Sequence, residues 1–383
     1  MRTKMFIMFM LLLHISVSYA FENFDQVFSQ MRHRYSLGHY KRTIAITPDA
    51  LELSKNSTQR YQALYYKGLA LYALRNFWYA GHVFAKAAKI KEISPRQKLQ
   101  ARYNQIKSQY ANKHFTSALA NAEKYSLFTG KPSVLQLNIL LTAIESARQL
   151  NKNKKALALT QIMTDKTDSE SAWHYRGIIM QIQILCLMKD YKKSKQVMNQ
   201  IDITKIPLPM RAEFLAWSGF CYEKDQNPEA AGKLYQWAYE NYASYYSGLA
   251  ALRHANLLTL KGEDYNQITS KYKKVLEFPR AHPRHKSQAI FKIAYISYKQ
   301  QNNPKAALAY LAQINDLESP SVYWQAKIYN LHGDILHKQG KIQEAKKYFQ
   351  ACLKLSRPLP DSKLYASKII AQMKEEIVVL PGE

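Results

Sequence analysis

A short phrase recurs along this chain at an almost constant interval. It begins with a polar turn and continues into small and bulky residues, as in NFWYAGHVF from 76, QNPEAAGKLY from 226, NNPKAALAYL from 302 and QGKIQEAKKYF from 339. The residue that opens the second turn of the following helix can be marked nine times, at Thr43, Ala80, Ala118, Ala156, Ser194, Ala231, Ile268, Ala307 and Ala345. Successive marks are 37 to 39 residues apart. This period indicates an array of stacked units, and 383 residues are too many for one ordinary core.

The pattern inside a unit predicts two helices that pack closely. A small residue often precedes the mark by twelve positions, a bulky residue follows it by four, and a small residue usually follows it by seven. The clearest sets are Gly68, Ala80, Phe84 and Ala87; Gly219, Ala231, Tyr235 and Ala238; and Gly333, Ala345, Phe349 and Cys352. Offsets of four and seven lie on one helical face. We expect the second helix to present the bulky residue between two small ones, and the Gly or Ala of the first helix to let its partner approach.

Prolines separate the units, at Pro48, Pro95, Pro132, Pro207, Pro209, Pro279, Pro283, Pro320 and Pro358. Ser94 and Ser319 each precede a proline, which is typical of a capping residue followed by the first helical position. No alternation typical of strands competes with this pattern. The sequence therefore predicts an all-α chain with two helices in each unit.

These units resemble tetratricopeptide repeats, which are helix-turn-helix modules. The residues that match the family's packing pattern are Leu64, Gly68, Leu71, Ala80, Phe84 and Ala87 in the second unit, Phe214, Gly219, Tyr222, Ala231, Tyr235 and Ala238 in the sixth, and Gly333, Ala345 and Phe349 in the ninth. Other units match loosely, and the period near 38 exceeds the family's usual value of about 34. The resemblance implies an α-solenoid of about nine repeats that forms a right-handed superhelix. We expect it over residues 21–358, with a capping helix and tail over 359–383.

The first 20 residues are typical of a secretory signal peptide. Arg2 and Lys4 precede an apolar run from Met5 to about Val17, and Ser18-Tyr19-Ala20 places small residues where a signal peptidase reads. An uncleaved membrane anchor is the alternative, although the apolar run is short for a span. The sequence predicts an exported protein, periplasmic or secreted, with no transmembrane span after cleavage.

Positive charge is in large excess. The chain has 55 Lys and Arg against 28 Asp and Glu, a formal net charge of +27. Between Lys86 and Lys155 there are 14 basic residues and three acidic ones. Such an excess indicates anionic partners and says nothing about fold. The cysteines Cys186, Cys221 and Cys352 are interpreted as buried thiols, with a Cys186–Cys221 bridge as the alternative.

Motifs for catalysis or cofactor binding do not stand out. The chain has no Gly-rich phosphate loop, GxSxG, HExxH or paired Cys motif. His282 and His285 of the HPRH stretch are interpreted as part of a solvated basic loop rather than a metal site. We therefore predict no catalytic residues, no cofactor and no metal site.

The candidate binding residues lie on first helices. Because Leu64, Gly68 and Leu71 form the packing stripe of the second unit, Tyr65, Leu69 and Tyr72 would lie one residue further round and face an inner groove. The remaining candidates are basic residues at equivalent positions: Lys107, Arg148, Arg253, Lys292 and Lys299. A groove of this composition suits an acidic or aromatic-containing peptide, and a solvated basic face is the alternative.

Two functions are compatible with these features. The first is an exported, non-enzymatic scaffold that binds a protein or peptide partner in its groove, in cell-envelope or secretion-system assembly. The second is a basic module that binds anionic lipid, lipopolysaccharide or another polyanion at an envelope surface. The leader sequence and the missing groove-reading motifs argue against specific nucleic-acid binding.

Overall fold

The computed structural model describes residues 21–125, 128, 130–355 and 360–378, with side chains in the last range described for 361–371. The signal-peptide prediction falls on residues 1–20, which lie outside this description. The helices, in chain order, are α1 Phe24–Ser36, α2 Tyr40–Ala45, α3 Thr47–Glu52, α4 Ser57–Ala73, α5 Phe77–Ala88, α6 Pro95–Ala111, α7 Phe115–Glu123, α8 Val134–Gln149, α9 Asn153–Asp165, α10 Ala172–Leu187, α11 Tyr191–Asn199, α12 Leu208–Lys224, α13 Pro228–Asn241, α14 Tyr245–Lys261, α15 Tyr265–Glu277, α16 Pro283–Lys299, α17 Pro304–Ala312, α18 Val322–Lys338, α19 Ile342–Leu353 and α20 Pro360–Val378.

The all-α prediction is confirmed, since the described residues contain no strand and their helices follow one another in pairs. The described chain holds nine such pairs, and we call their members first and second helices. The first pair is α1 with α2 and α3, and the last is α18 with α19. Each of the nine marked positions lies in a second helix and is at most 2% exposed. The repeat read from the sequence is therefore a repeat of core positions.

Close packing within a pair has the predicted cause. At Gly68, Gly219 and Gly333 an added Cβ would stand 2.6 Å from the nearest ring carbon of the bulky residue sixteen positions on, which is Phe84, Tyr235 or Phe349. Real Cβ atoms do not approach so closely. The aromatic ring of the second helix thus occupies the space that a side chain on the glycine of the first helix would need.

Every turn inside a pair contains one residue in the left-handed backbone region. These residues have φ between 47° and 74° and are Gly38, Arg75, Lys113, Asn151, Lys189, Gln226, Gly262, Asn302 and Gly340. In the second pair the N–H of Arg75 donates to Tyr72 O and the N–H of Asn76 donates to Leu71 O, each over 2.9 Å. Such bonds satisfy the last carbonyls of a helix and fix the reversal of the chain.

The chain divides into two compact units, one reaching to Ser169 and the other starting at Glu170. Within each unit a second helix packs against its own first helix and against the first helix of the next pair. First helices also contact one another, as α6 does with α8 and α16 with α18. The first helices therefore form a continuous layer in each unit. At the C-terminus α20 packs on α18 and α19, where Ala366 joins the cluster of Phe349 and Cys352.

Two details differ from the sequence analysis. Pro48 does not lie in a connector but in the first turn of α3, so the second helix of the first pair is divided into α2 and α3. Ser94 caps α6 in a full capping box with Gln97, as predicted. The corresponding cap of α18 is Ser321 rather than Ser319, and its side chain makes no capping hydrogen bond.

Cys186, Cys221 and Cys352 are all buried and free, so the described structure has no Cys186–Cys221 bridge. No helix of the described residues is both long enough and apolar enough to span a bilayer.

Candidate partner-binding surface

The candidate residues of α4 are largely committed to packing. Tyr65 stacks on Tyr61 with centroids 5.4 Å apart, and its hydroxyl accepts a hydrogen bond from Asn104 Nδ2 over 3.0 Å. Leu69 is half-buried against the cluster around Phe84. Tyr72 is also half-buried against this cluster, and its ring centroid lies 4.9 Å from Nζ of Lys107, which is an exposed residue. Of the candidates in the first unit, the structure therefore brings Tyr72 and Lys107 into contact.

Arg148 has an internal partner. Its Nη1 lies 2.9 Å and 3.0 Å from the two carboxylate oxygens of Glu145, one turn earlier in α8. A cleft of about 690 Å³ opens between α6 and α8, and Tyr103 contributes to its lining. Neither Lys107 nor Arg148 lines this cleft. The first-helix layer of the first unit thus carries the contact between Tyr72 and Lys107 and, separate from it, this cleft.

Arg253 is likewise paired. Its Nη1 stands 3.5 Å from Glu223 Oε2, and its guanidinium lies 4.2 Å from the ring centroid of Phe220. Glu223 also accepts a hydrogen bond from the hydroxyl of Tyr235 over 2.7 Å. A ligand carboxylate would have to compete with Glu223 for this arginine.

Lys292 and Lys299, both in α16, differ from the two arginines. Neither forms an ion pair within the described part of the chain. Lys299 is exposed and lies 4.8 Å from the ring centroid of its neighbour Tyr298. Lys292 is half-buried and borders α18.

Aromatic rings and two lysines meet where α16 and α18 pack together. We call this group the aromatic–lysine surface, and its members are Phe291, Lys292, Tyr295, Tyr323, Trp324 and Lys327. The rings of Phe291 and Trp324 lie 5.4 Å apart and link the two helices. Tyr295 and Tyr323 remain 41% and 48% exposed, so the surface is open to solvent.

Lys327 is held against the rings of this surface. Its Nζ lies 4.9 Å from the centroid of Tyr323, 5.4 Å from Trp324 and 5.9 Å from Phe291. A cation over several aromatic faces is attracted by their quadrupoles and loses conformational freedom. This contact fixes the position of one positive charge.

The second positive charge lies near the first. Burial lowers the pKa of Lys292, and the positive charge of Lys327 lowers it further. Like Lys292, Lys327 has no ion-pair partner among the described side chains. Two neighbouring half-buried ammonium groups without a counter-ion favour an added anion.

Sequence reasoning identified Lys292 but not its neighbours on α18. Phe291 and Tyr295 on α16, and Tyr323 and Lys327 on α18, are each four residues apart and therefore share a helical face. That spacing was a usable signal. The register between α16 and α18 could not be inferred from the sequence, because it depends on how successive helix pairs stack.

A buried carboxylate also escaped sequence reasoning. Glu213 in α12 is 4% exposed and accepts hydrogen bonds from Arg176 over 2.6 Å, Gln183 over 3.1 Å and Tyr246 over 2.8 Å. These partners lie on the first helices α10 and α14. A carboxylate with this many donors ties three consecutive first helices together.

The interpretation of HPRH as a solvated loop is only half right. His282 is exposed and caps α16 by accepting a hydrogen bond from the N–H of Arg284. His285 lies inside the helix, where burial lowers its pKa to about 4. In the described chain no group of three or more His, Cys, Asp or Glu residues is placed to hold a metal ion.

Comparison with known proteins bears on the second unit. Residues 222–370, which include the whole aromatic–lysine surface, match a family model described as a tetratricopeptide repeat-like domain. No curated protein matches the chain.

Two solved structures are similar to the chain at low identity. A tetratricopeptide repeat protein from Parabacteroides merdae ATCC 43184 is 17% identical with a TM-score of 0.42, over 80% of this chain and 97% of that one. The apo form of the quorum sensor NprR from B. thuringiensis is 13% identical with a TM-score of 0.48, over 87% of this chain and 98% of that one.

Tetratricopeptide repeat-like domains typically act in protein interactions and are typically not enzymes, because stacked repeats create extended binding surfaces. Within the matched residues, the aromatic–lysine surface combines fixed rings, which suit apolar groups, with two cations, which suit a carboxylate.

Proposed function

We propose that this chain is an exported, non-enzymatic scaffold that binds an acidic segment of a protein partner, in cell-envelope or secretion-system assembly. The observation that carries the proposal is the pair of unpaired ammonium groups of Lys292 and Lys327 among the rings of the aromatic–lysine surface. The repeat-like domain around it supports a protein partner. Export rests on the leader-like sequence of residues 1–20.

The chemistry of this surface favours a segment with both acidic and apolar side chains. A carboxylate placed between Lys292 and Lys327 would offset their mutual repulsion in a site partly shielded from water. An adjacent apolar side chain would cover the exposed faces of Tyr295 and Tyr323. Aromatic residues are enriched at protein interfaces because they bury much area at low entropic cost.

Affinity purification of the mature chain from envelope extract tests this function. The wild type should retain a protein partner in stoichiometric amount, and the double variant Lys292→Gln/Lys327→Gln should lose it. The matched control is Lys305→Gln/Lys347→Gln, which removes the same charge from exposed positions on the second helices α17 and α19. Recovery of lipid or glycan alone, or equal loss in both double variants, would contradict the proposal.

Binding of a polyanionic surface is the second candidate. It is favoured by the net charge of +27 and by the 14 basic against three acidic residues between Lys86 and Lys155. Charges on exposed side chains act over about 8 Å at physiological ionic strength, so this binding should collapse as salt rises. Co-sedimentation with vesicles of anionic phospholipid at low and high salt tests it, because binding to the vesicles should be lost at high salt. Binding of a protein partner at the half-buried aromatic–lysine surface should lose less affinity over the same range of salt.

A further inference from the structure

A second cleft lies between two second helices of the first unit. It has a volume of about 280 Å³ and is lined by α5, α6, the turn after α6 and α7. The first helix α6 packs against both second helices, and its Gln105 and Gln109 line the cleft. This cleft is separate from the aromatic–lysine surface, and its function does not depend on a protein partner.

The lining of this cleft differs in composition from the strongly basic stretch of chain around it. Its lining contains no Lys, Arg, Asp or Glu and consists of Phe77, Trp78, Gly81, His82, Ala85, Gln105, Gln109, Asn112, His114 and Ser117. The sequence from Lys86 to Lys155 nevertheless carries 14 basic residues. The cleft therefore does not suit an acidic peptide, a phosphate or a nucleic-acid backbone, each of which needs cations close by.

Trp78 provides an exposed aromatic face. It is 49% exposed although it belongs to the lining. Its ring contacts Tyr79 at 4.6 Å and 90°, and His82 at 4.1 Å and 67°, measured between centroids. These edge contacts hold the ring in place, so a ligand that stacks on Trp78 would not have to order it first.

The amide groups of the cleft are oriented and still have unused donors. Gln105 Oε1 accepts a hydrogen bond from Arg102 over 2.9 Å, and Gln109 Oε1 accepts one from Asn121 over 3.0 Å. A side-chain amide has two N–H donors in addition to its oxygen. Among the described residues the Nε2 groups of Gln105 and Gln109 donate no hydrogen bond, so both can donate to a ligand.

A fixed aromatic face beside neutral amides matches the chemistry of a sugar ring. A pyranose has an apolar C–H face that packs on an aromatic ring, and hydroxyl groups at its edge that donate and accept hydrogen bonds. We propose that this cleft binds a neutral saccharide, stacked on Trp78 and hydrogen-bonded to Gln105 and Gln109. The ligand is uncharged because no Lys, Arg, Asp or Glu lines the cleft.

Titration with maltotriose, cellotriose and N,N′,N″-triacetylchitotriose, all neutral, tests the site, with binding detected by saturation-transfer NMR and Kd measured by calorimetry. At least one of these sugars should bind saturably to the wild type. Trp78→Ala should weaken that binding about tenfold or more, which is the loss of about 1.4 kcal/mol of stacking. Gln105→Leu should weaken it several-fold without removing the tryptophan.

Trp237→Ala is the matched control. Trp237 lies on the second helix α13, is 42% exposed and does not line this cleft. This variant should bind the sugar as the wild type does. The proposal is overturned if none of the three sugars binds at millimolar concentration, if Trp78→Ala and Gln105→Leu leave Kd unchanged, or if Trp237→Ala weakens binding equally.

Discussion

Gly219 of α12 lies so close to the ring of Tyr235 in α13 that a Cβ at Gly219 would stand 2.6 Å from Tyr235 Cε1. Tyr235 is fully buried, and its hydroxyl donates a hydrogen bond to Glu223 over 2.7 Å. The ring therefore cannot move aside without losing packing or this partly buried hydrogen bond. The same contact between glycine and ring recurs in the second and ninth pairs, so three of the nine described pairs close in this way.

Gly219→Ala should destabilise the chain, because the added methyl group overpacks a full core at a cost of about 1 to 3 kcal/mol. Gly81→Ala is the control. A Cβ at Gly81 would meet Ser108 Cβ at 3.5 Å, which is ordinary contact, and alanine favours a helix by about 1 kcal/mol over glycine. Urea unfolding should show a lower midpoint for Gly219→Ala and an equal or higher one for Gly81→Ala. The reverse order would contradict the packing account.

Lys189→Gly should stabilise the turn between α10 and α11. Lys189 has φ of 62°, a conformation that costs an L-residue about 1 to 2 kcal/mol and glycine almost nothing. The greater freedom of glycine in the unfolded chain offsets part of this gain, so we expect a net rise of at most about 1 kcal/mol.

Gly340→Ala provides the opposite test. Gly340 has φ of 74° and nothing within 4 Å of an added Cβ, so only backbone strain is introduced. The thermal unfolding midpoint of Gly340→Ala should fall, while that of Lys189→Gly should rise. A fall for both variants would mean that the lysine side chain, rather than the backbone, decides stability at residue 189.

The helix pairs could be read from the sequence because their core positions repeat. Ala80, Ala231 and Ala345 are each fully buried at the equivalent position of their helix pair. Their constant spacing makes these positions recognisable in the sequence. The left-handed turn residues Arg75 and Lys189 could not be recognised, since long basic side chains do not signal that conformation as glycine does.

The candidate surface was less readable than the fold. Helical spacing placed Lys292 and Arg253 on first helices, but it gave no information about neighbours from other helices. Glu223, which pairs with Arg253, and Lys327, which lies near Lys292, come from adjacent first helices. Which charges remain unpaired depends on the stacking between pairs, and local periodicity does not determine that stacking.

Acid should weaken the second unit through three imidazoles, since His254 and His332 share the lowered pKa of His285. Burial lowers the pKa of His254 and of His332 to about 4, from a usual 6.5. The unfolded chain binds these protons below about pH 6.5, while the folded chain binds them only near pH 4, so stability is lost as pH falls through that interval. His254→Gln should reduce this loss in urea unfolding at about pH 7 and pH 5.

His33→Gln is the control for this pH dependence, because His33 is exposed in α1. It should leave the difference between the two pH values unchanged. If His254→Gln behaves like His33→Gln, protonation of His254 does not contribute to the acid sensitivity of the fold.

Site-specific photocrosslinking in living cells tests the central proposal most directly. A photoreactive amino acid replaces Tyr323, which is 48% exposed on the first helix α18, or Tyr265, which is 43% exposed on the second helix α15. We predict a discrete protein adduct from position 323 that disappears in the Lys292→Gln/Lys327→Gln background, and none from position 265. Equal adducts from both positions, or none from position 323, would contradict binding of a protein partner at the aromatic–lysine surface.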